Sequence, residues 1–213
     1  EIDSSELDIS YISELARLAS GSASRSVYSR YANWGYHPHL NTGYDKYAHA
    51  FKDYHSEFLE VCDSVLIVSS SEKAVSSSVG HSLMQGHPYR EGRLSQALEN
   101  YRNLTNAMRE GDWEFFGEIL ENEALSLHAL MMSSSPSFIL LCPASLSVIS
   151  EVQNFRKETK LPLYFTIDAG PNIHLIYPSK IKNKVIDFIN TSLTQYSSNV
   201  IHDEIGMGVK LYE

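Results

Sequence analysis

The chain has 213 residues, of which 43% are hydrophobic and 20% charged, and its formal net charge is −9. This composition argues against wholesale disorder and allows one good core or two small ones. The acidic balance argues against nucleic acid or an anionic membrane surface as the main partner. Cys62 and Cys142 show no metal spacing and fit a reducing, cytoplasmic setting, and no apolar run has the length of a transmembrane helix.

The first predicted element is a helix over about residues 8–18, indicated by apolar residues at Ile9, Ile12, Leu15 and Leu18. The chain opens on Glu1 rather than Met and enters this helix almost at once, so we expect residues of a larger fold upstream. A serine-rich segment, residues 20–26, ends the helix. The following stretch to Tyr54 contains Pro38 and Gly43 and is predicted to be irregular.

The middle of the chain predicts one strand and two helices. Residues 65–68 form a short apolar run that suits a buried strand, and a serine-rich loop follows over residues 69–78. A helix is indicated by the apolar stripe of Leu94, Leu98, Tyr101, Leu104 or Thr105, and Met108. Gly111 is placed to end that helix, and Asp112 to cap the next one, which runs towards His128.

The last third predicts a helix over residues 144–157, then two paired strands over 163–167 and 173–177. An amphipathic helix follows over residues 181–193, and a terminal strand is expected over 208–212. Strands interleaved with paired helices indicate an α+β sandwich.

The segment Asp168-Ala-Gly-Pro-Asn172 is the first candidate site. A carboxylate that follows an apolar strand is held on a rigid element and can project into a cleft, while Gly170 permits close approach of a ligand. The alternative is that Asp168 only caps a tight turn through an Asx hydrogen bond.

Two further segments could bind anions. Ser20, Gly21 and Ser22 offer hydroxyl and backbone N–H groups, and Arg25 can hold a carboxylate bidentately, although a flexible connector has the same composition. Lys73, Ser76 and Ser77 could fold over a polyphosphate or belong to an ordinary surface loop. No metal site is predicted, because the histidines lack partners at ligand spacing, and His128 is interpreted as a core histidine with its hydrogen bonds satisfied.

Four segments together resemble the mevalonate diphosphate decarboxylase family of the GHMP kinase superfamily, in order and spacing. They are residues 15–26 (LARLASGSASRS), Lys73-x-x-Ser-Ser77 with Gly80, His128-Ala129, and residues 164–172 (YFTIDAGPN). The closing segments look more like bacterial members than animal ones.

The resemblance implies a fold, a reaction and its ligands. The fold would be a GHMP-type two-layer α+β sandwich, with residues 1–60 as the tail of an amino-terminal domain and 61–213 as a ferredoxin-like carboxy-terminal domain. The reaction would be the ATP- and Mg²⁺-dependent conversion of mevalonate 5-diphosphate to isopentenyl diphosphate in isoprenoid biosynthesis. A homodimer is suggested only by the family.

The resemblance also implies residue roles. Asp168 would lie by the 3-hydroxyl, and Arg25 would hold the substrate carboxylate. Ser20, Gly21 and Ser22 would contact the diphosphate or line its pocket, and Lys73, Ser76 and Ser77 would form a nucleotide or phosphate loop. Because an ionised carboxylate is a weak base for an alcohol, proton removal would accompany phosphoryl transfer.

Departures from the family pattern keep two alternatives open. They occur at Ala19, Asn33, His81, Leu130 and Ser137. Those at Asn33, His81 and Leu130 motivate one alternative, a related kinase or decarboxylase that acts on another mevalonate phosphate. The family's Gly-rich phosphate loop and amino-terminal lysine would lie before residue 1, so a non-catalytic fragment is the other alternative.

Overall fold

The computed structural model describes residues 8–38, 43–69 and 85–209. The chain divides into two compact units, one formed by Glu1–Tyr54 with Ile205–Glu213 and the other by His55–Glu204. The predicted domain boundary after residue 60 stays a prediction. Within the described ranges, no helix combines the length and apolarity needed to cross a membrane.

The first unit contains helices α1 (Ile9–Ala19) and α2 (Ala23–Ser26) and a two-residue antiparallel pairing of β1 (Ala32–Asn33) with β2 (His49–Ala50). The predicted opening helix is therefore confirmed. The buried Ser13 hydroxyl joins these elements, since it donates to the Ser24 carbonyl oxygen at 2.7 Å and accepts from the Ala48 N–H at 3.0 Å.

The apolar side chains of α1 are exposed within this unit. Ile9, Leu15 and Leu18 keep 43%, 47% and 69% of their surfaces accessible. Their spacing predicted the helix correctly, because one face of a helix repeats every three or four residues. Ile12, the fourth residue of the stripe, is partly buried.

The second unit is built on a four-stranded antiparallel sheet with the order β4-β5-β3-β6. Its elements are β3 (Val61–Ile67), α3 (Arg90–Glu110), α4 (Trp113–Ser133), α5 (Pro143–Thr159), β4 (Tyr164–Ile167), β5 (Ile173–Pro178), α6 (Lys182–Phe188) and β6 (Asn199–Glu204). Without α3 and α4, the succession is β-α-β-β-α-β, which is the ferredoxin-like arrangement. The predicted α+β fold class is confirmed.

Local signals placed most element ends correctly. Gly111 ends α3 in the left-handed conformation, with φ of 79°, and the Asp112 carboxylate accepts from the Phe115 N–H at 2.9 Å to cap α4. The predicted last helix is instead divided into a 3₁₀ turn (Ser179–Ile181), α6 and a π turn (Ile189–Leu193).

The prediction of a terminal strand over residues 208–212 was wrong in its described part. Gly208 and Val209 adopt no regular structure, and residues 210–212 lie outside the described residues. The last strand in the described part of the chain is β6, which pairs with β3 from Asn199↔Ile67 to Glu204↔Cys62. Most of β6 is exposed, so it lacks the apolar alternation by which strands are recognised in a sequence.

One face of the sheet forms the core of the second unit. Alternate residues of the strands point to this face and pack with buried residues of α5 and α6. The buried cluster includes Cys62, Leu66, Phe165, Ile167, Ile173, Leu175, Tyr177, Val148, Val152 and Val185. The opposite face therefore carries the residues between them, and one of these is His174.

A partly buried ion pair covers the outer edge of β4. The Phe165 N–H donates to Glu121 of α4 at 3.3 Å, and Glu121 accepts two hydrogen bonds from Arg156 of α5, at 2.8 and 2.9 Å. Burial raises the pKa of Glu121, while the Arg156 guanidinium opposes that rise. This satisfies an edge amide that would otherwise be free to pair with another strand.

Candidate functional site

Asp168 lies immediately after β4, between the buried Ile167 and the turn to β5, and its side chain is exposed. Its backbone carbonyl oxygen accepts from the Gly170 N–H at 2.8 Å, which closes the turn. The carboxylate has no hydrogen bond or ion pair with any residue in the described part of the chain. The acid is thus not used to cap the turn and is available to a ligand.

His128 of α4 supports the backbone at Asp168. Its Nε2 atom lies 3.2 Å from the Asp168 carbonyl oxygen, and the side chain is 2% exposed. Burial lowers the pKa of His128, so the neutral ring donates from Nε2–H. The interpretation of His128 as a core histidine with its hydrogen bonds satisfied is confirmed. Its partner is the backbone carbonyl oxygen of Asp168.

Two other side chains fix the same loop. The buried Ser145 hydroxyl of α5 donates to the Pro171 carbonyl oxygen at 2.6 Å. The Asn172 side-chain oxygen accepts from the backbone N–H groups of Val68 and Ser69, at 3.1 and 3.3 Å, just after β3. Backbone contacts from three elements therefore hold the loop while the Asp168 carboxylate stays outside the network.

In the first unit, Ser20 and Gly21 form the connection between α1 and α2. The Ser20 N–H donates to Ala16, which ends α1, and the hydroxyls of Ser20 and Ser22 lie 3.3 Å apart. Gly21 lies against the ring of Trp34, and a Cβ at Gly21 would lie 2.8 Å from the nearest ring carbon. Packing against Trp34 therefore requires glycine at this position, independently of the predicted binding role of Gly21.

Arg25 lies beside a cavity of about 500 Å³ within the first unit. The exposed Arg25 side chain has no ion pair among the described residues, and the cavity also contains a second arginine. Its lining residues are Ser22, Arg25, Ser26, Tyr28, Arg30, Tyr31, Ala32, Gly206 and Gly208. Two guanidinium groups and several hydroxyls suit an anionic ligand, although the whole chain is acidic.

The predicted binding residues fall into three groups: those that line the Arg25 cavity, those that do not, and those outside the described residues. Ser22 and Arg25 lie on one cavity, whereas Ser20 and Gly21 are near it in sequence but do not line it. Lys73, Ser76 and Ser77, together with His81, lie outside the described residues. Their predicted contacts with phosphate stay predictions.

Two features of the structure were not predicted from the sequence. Arg30 lines the Arg25 cavity and adopts a left-handed backbone with φ of 63°, which is uncommon for a residue other than glycine. Asp63 forms a hydrogen-bonded pair with His174 on neighbouring strands, with 2.8 Å between Oδ2 and Nδ1. The sequence did contain a signal for the second feature, because Asp63 is a charged residue within the mostly apolar strand β3 (VCDSVLI).

No group of three or more histidine, cysteine or acidic side chains within the described ranges is arranged to hold a metal ion. His87 is buried and hydrogen-bonded, with contacts to the Ser133 hydroxyl and the Tyr89 N–H.

The match to a known protein family covers both the four-stranded sheet and the Asp168 loop. The model for the mevalonate 5-diphosphate decarboxylase C-terminal domain matches residues 64–208, which include Asp168 and its three supporting side chains. The chain belongs to this decarboxylase family. The resemblance stated from the sequence is thereby confirmed.

Individual members of the family agree with this assignment. Diphosphomevalonate decarboxylase of Saccharomyces cerevisiae is 30% identical over 84% of this chain and 46% of its own length. Mevalonate diphosphate decarboxylase of Staphylococcus aureus is 31% identical, with a TM-score of 0.84 over 98% of this chain and 62% of that one. A structure of MDDEF in complex with MVAPP, AMPPCP and magnesium has the same TM-score, 0.84, at 25% identity, covering 98% of this chain and 62% of that one. The chain spans about half the length of the curated relatives it matches.

Proposed function

We propose that the protein containing this chain converts mevalonate 5-diphosphate to isopentenyl diphosphate, with ATP as the phosphoryl donor. Membership of the decarboxylase family supports the reaction class. The observation that carries the proposal is the exposed Asp168 carboxylate, which has no hydrogen bond or ion pair among the described residues and lies on a loop fixed by His128, Ser145 and Asn172. A preorganised, unsatisfied charge of this kind is what electrostatic catalysis requires.

Asp168 would act in both halves of the reaction. As ATP phosphorylates the tertiary 3-hydroxyl, the carboxylate would take the hydroxyl proton while the new O–P bond forms, because the oxygen becomes acidic only then. When the 3-phosphate later departs, positive charge develops at C3, and a fixed carboxylate nearby would stabilise it.

Arg25 would hold the substrate carboxylate bidentately, so that the bond to the departing carbon dioxide stays aligned. Ser20, Gly21 and Ser22 would contact the diphosphate or line its pocket. The cavity beside Arg25 and Ser22 supports an anion-binding role, since Arg30 and Ser26 add a further cation and a hydroxyl to the same walls. The substrate carries both a carboxylate and a diphosphate and therefore needs more than one such donor.

ATP and Mg²⁺ are the expected cofactors, and the MDDEF complex holds AMPPCP, an analogue of ATP, together with magnesium. Magnesium binds phosphate oxygens and water readily and usually takes only one or two protein carboxylates. Lys73, Ser76 and Ser77 are proposed to contact the nucleotide or substrate phosphates.

The test is Asp168→Asn in the full-length protein, with release of ADP and of carbon dioxide measured separately. Removal of the charge should reduce both by about 10²–10⁴-fold, as expected for loss of a proton acceptor in the transition state. Asp187→Asn is the matched control, because Asp187 is an exposed acid on α6. Near-normal turnover of Asp168→Asn would refute the assigned role.

Product analysis distinguishes this reaction from two related reactions of mevalonate phosphates. A stable 3-phosphate without carbon dioxide would identify a kinase, and preference for the 5-monophosphate would identify a different decarboxylase. If the full-length protein transforms none of these compounds, the non-catalytic alternative is correct.

A further inference from the structure

Asp63 and His174 form an ionisable pair on the face of the sheet that is turned away from the core. Asp63 is the only charged residue of β3, and His174 lies on the adjacent strand β5. The Asp63 Oδ2 and His174 Nδ1 atoms lie 2.8 Å apart, and both side chains are 32% exposed. Asp63 lies opposite Ile176 of β5 and Asp203 of β6, and its hydrogen bond goes to His174 rather than to either of them.

Strand register brings this pair to the Asp168 end of the sheet. His174 is the direct partner of Thr166 across β4 and β5, and Asp168 follows Thr166 by two residues. Because side chains alternate between faces and the intervening Ile167 is buried in the core, Asp168 and Thr166 project to the same side as His174. The Asp168 charge also acts on His174, where it raises the pKa of the imidazole.

The hydrogen bond from Asp63 fixes which nitrogen of His174 is left for a ligand. Nδ1 is engaged, so Nε2 is the ring nitrogen without a hydrogen-bond partner among the described residues. The second oxygen of Asp63, Oδ1, is buried and also has no hydrogen-bond partner among them. A buried carboxylate oxygen without a partner is unfavourable. Asp63 therefore lowers stability to some extent, and its hydrogen bond orients the ring of His174.

The same contact determines the charge of the histidine. The hydrogen bond to Asp63 is the largest cause raising the pKa of His174, partial burial opposes it, and the Asp63 and Asp168 charges add to the rise. These two acids, from β3 and from the end of β4, are the charged groups that act on His174 within the described residues, and Thr166 is its polar neighbour. The ring therefore carries a proton to a higher pH than an ordinary histidine and can donate from Nε2–H.

We propose that His174 is a second ligand-binding group of the Asp168 site, donating from Nε2 to the phosphate that forms on the substrate 3-oxygen and then leaves, with Asp63 as its positioning residue. This inference rests on the proposed function. In the second half-reaction the C3–O bond breaks, and its electron pair departs with the phosphate. The electrons of the bond to the carboxylate form the new double bond, and carbon dioxide is released. His174 keeps its proton throughout and stabilises the negative charge that gathers on the leaving phosphate.

The experiment is a single-turnover assay of the full-length protein that follows ADP and carbon dioxide separately. In His174→Gln, carbon dioxide release should lag behind ADP formation and slow by about 10–100-fold, the loss expected for a hydrogen bond to a charged group. His174→Lys, which keeps a positive charge, should restore most of the rate. His202→Gln is the matched control, since His202 is an exposed histidine on β6 of the same sheet, bonded to Ser64.

Asp63→Asn supplies a readout that a merely structural role would not move. Because Asp63 is the main cause of the raised pKa, its removal should shift the alkaline limb of the kcat profile to lower pH, with little change at pH 6. Equal rates of ADP and carbon dioxide release in His174→Gln, or an unmoved alkaline limb in Asp63→Asn, would overturn the inference. An inactive wild-type protein would instead refute the proposed function itself.

Discussion

The Nε2 atom of His128 lies 3.2 Å from the backbone carbonyl oxygen of Asp168, so a buried histidine of α4 supports the peptide group of the candidate catalytic acid. The contact reaches the backbone and leaves the carboxylate untouched. His128 can therefore influence the position of Asp168 without competing for its charge.

Loss of this contact should reduce kcat more than it changes KM. In His128→Leu, the Asp168 carbonyl oxygen loses a donor and the loop can move, and small displacements of a reacting group reduce rates by up to about 10²-fold. His128→Gln, whose amide can donate from a similar position, should recover a substantial part of the activity. Steady-state kinetics of both variants check this.

The control for His128 is His87→Leu. His87 is also buried but bonds to Ser133 and to the Tyr89 N–H. It should lower thermal stability without a selective loss of kcat. Equal loss of kcat in the His87 and His128 variants would show that the effect is general destabilisation.

Arg25→Lys should weaken the enzyme even though it keeps the charge. A lysine cannot reproduce the planar, bidentate hydrogen bonds of a guanidinium, and we expect kcat/KM for mevalonate 5-diphosphate to fall by about 10–100-fold. Arg102→Lys on α3 is the comparison, since Arg102 is an exposed side chain with a 3.7 Å ion pair to Glu99. An Arg25→Lys enzyme with unchanged kcat/KM would contradict bidentate binding.

Gly117→Ala should destabilise the second unit by about 1–3 kcal/mol, the usual effect of overpacking. An added Cβ would lie 2.1 Å from the Tyr164 ring, which leaves no space between α4 and β4. Gly92→Ala is the matched control on α3, because nothing lies within 4 Å of a Cβ there. That substitution should stabilise the helix by about 0.5–1 kcal/mol. Urea unfolding of the two variants measures the contrast.

The two histidines near Asp168 should influence stability with opposite signs. Burial lowers the pKa of His128, so the unfolded chain binds its proton more readily, and the free energy of unfolding should fall as pH drops below about 6.5. The pKa of His174 is raised, so its contribution is fully present below about 6.5 and is lost as pH rises through the folded-state pKa.

Urea unfolding midpoints between pH 5 and pH 8 test this for wild type, His128→Gln and His174→Gln. The His128 variant should lose part of the acid-side decline in stability. The His174 variant should lose part of the alkaline-side decline. The same pH dependence in all three proteins would contradict both assignments.

The sequence by itself determined the elements whose signals are local. Gly111 and Asp112 marked a helix boundary because a left-handed glycine and a capping carboxylate act within a few residues. Two apolar runs around residues 168–172 predicted the β4–β5 pair, and the order of the motifs identified the family. Each of these features depends on neighbours along the chain, which a single sequence displays directly.

Tertiary structure decided what depends on distant residues. The polar strand β6 exists because β3 pairs with it, and the α1 stripe is exposed although its periodicity is that of a buried face. His128 reaches Asp168 from 40 positions away, and Asp63 reaches His174 across 111. Such contacts are made by strand register and helix packing, which no local pattern encodes, and they distinguish a carboxylate that is free for a ligand from a turn cap.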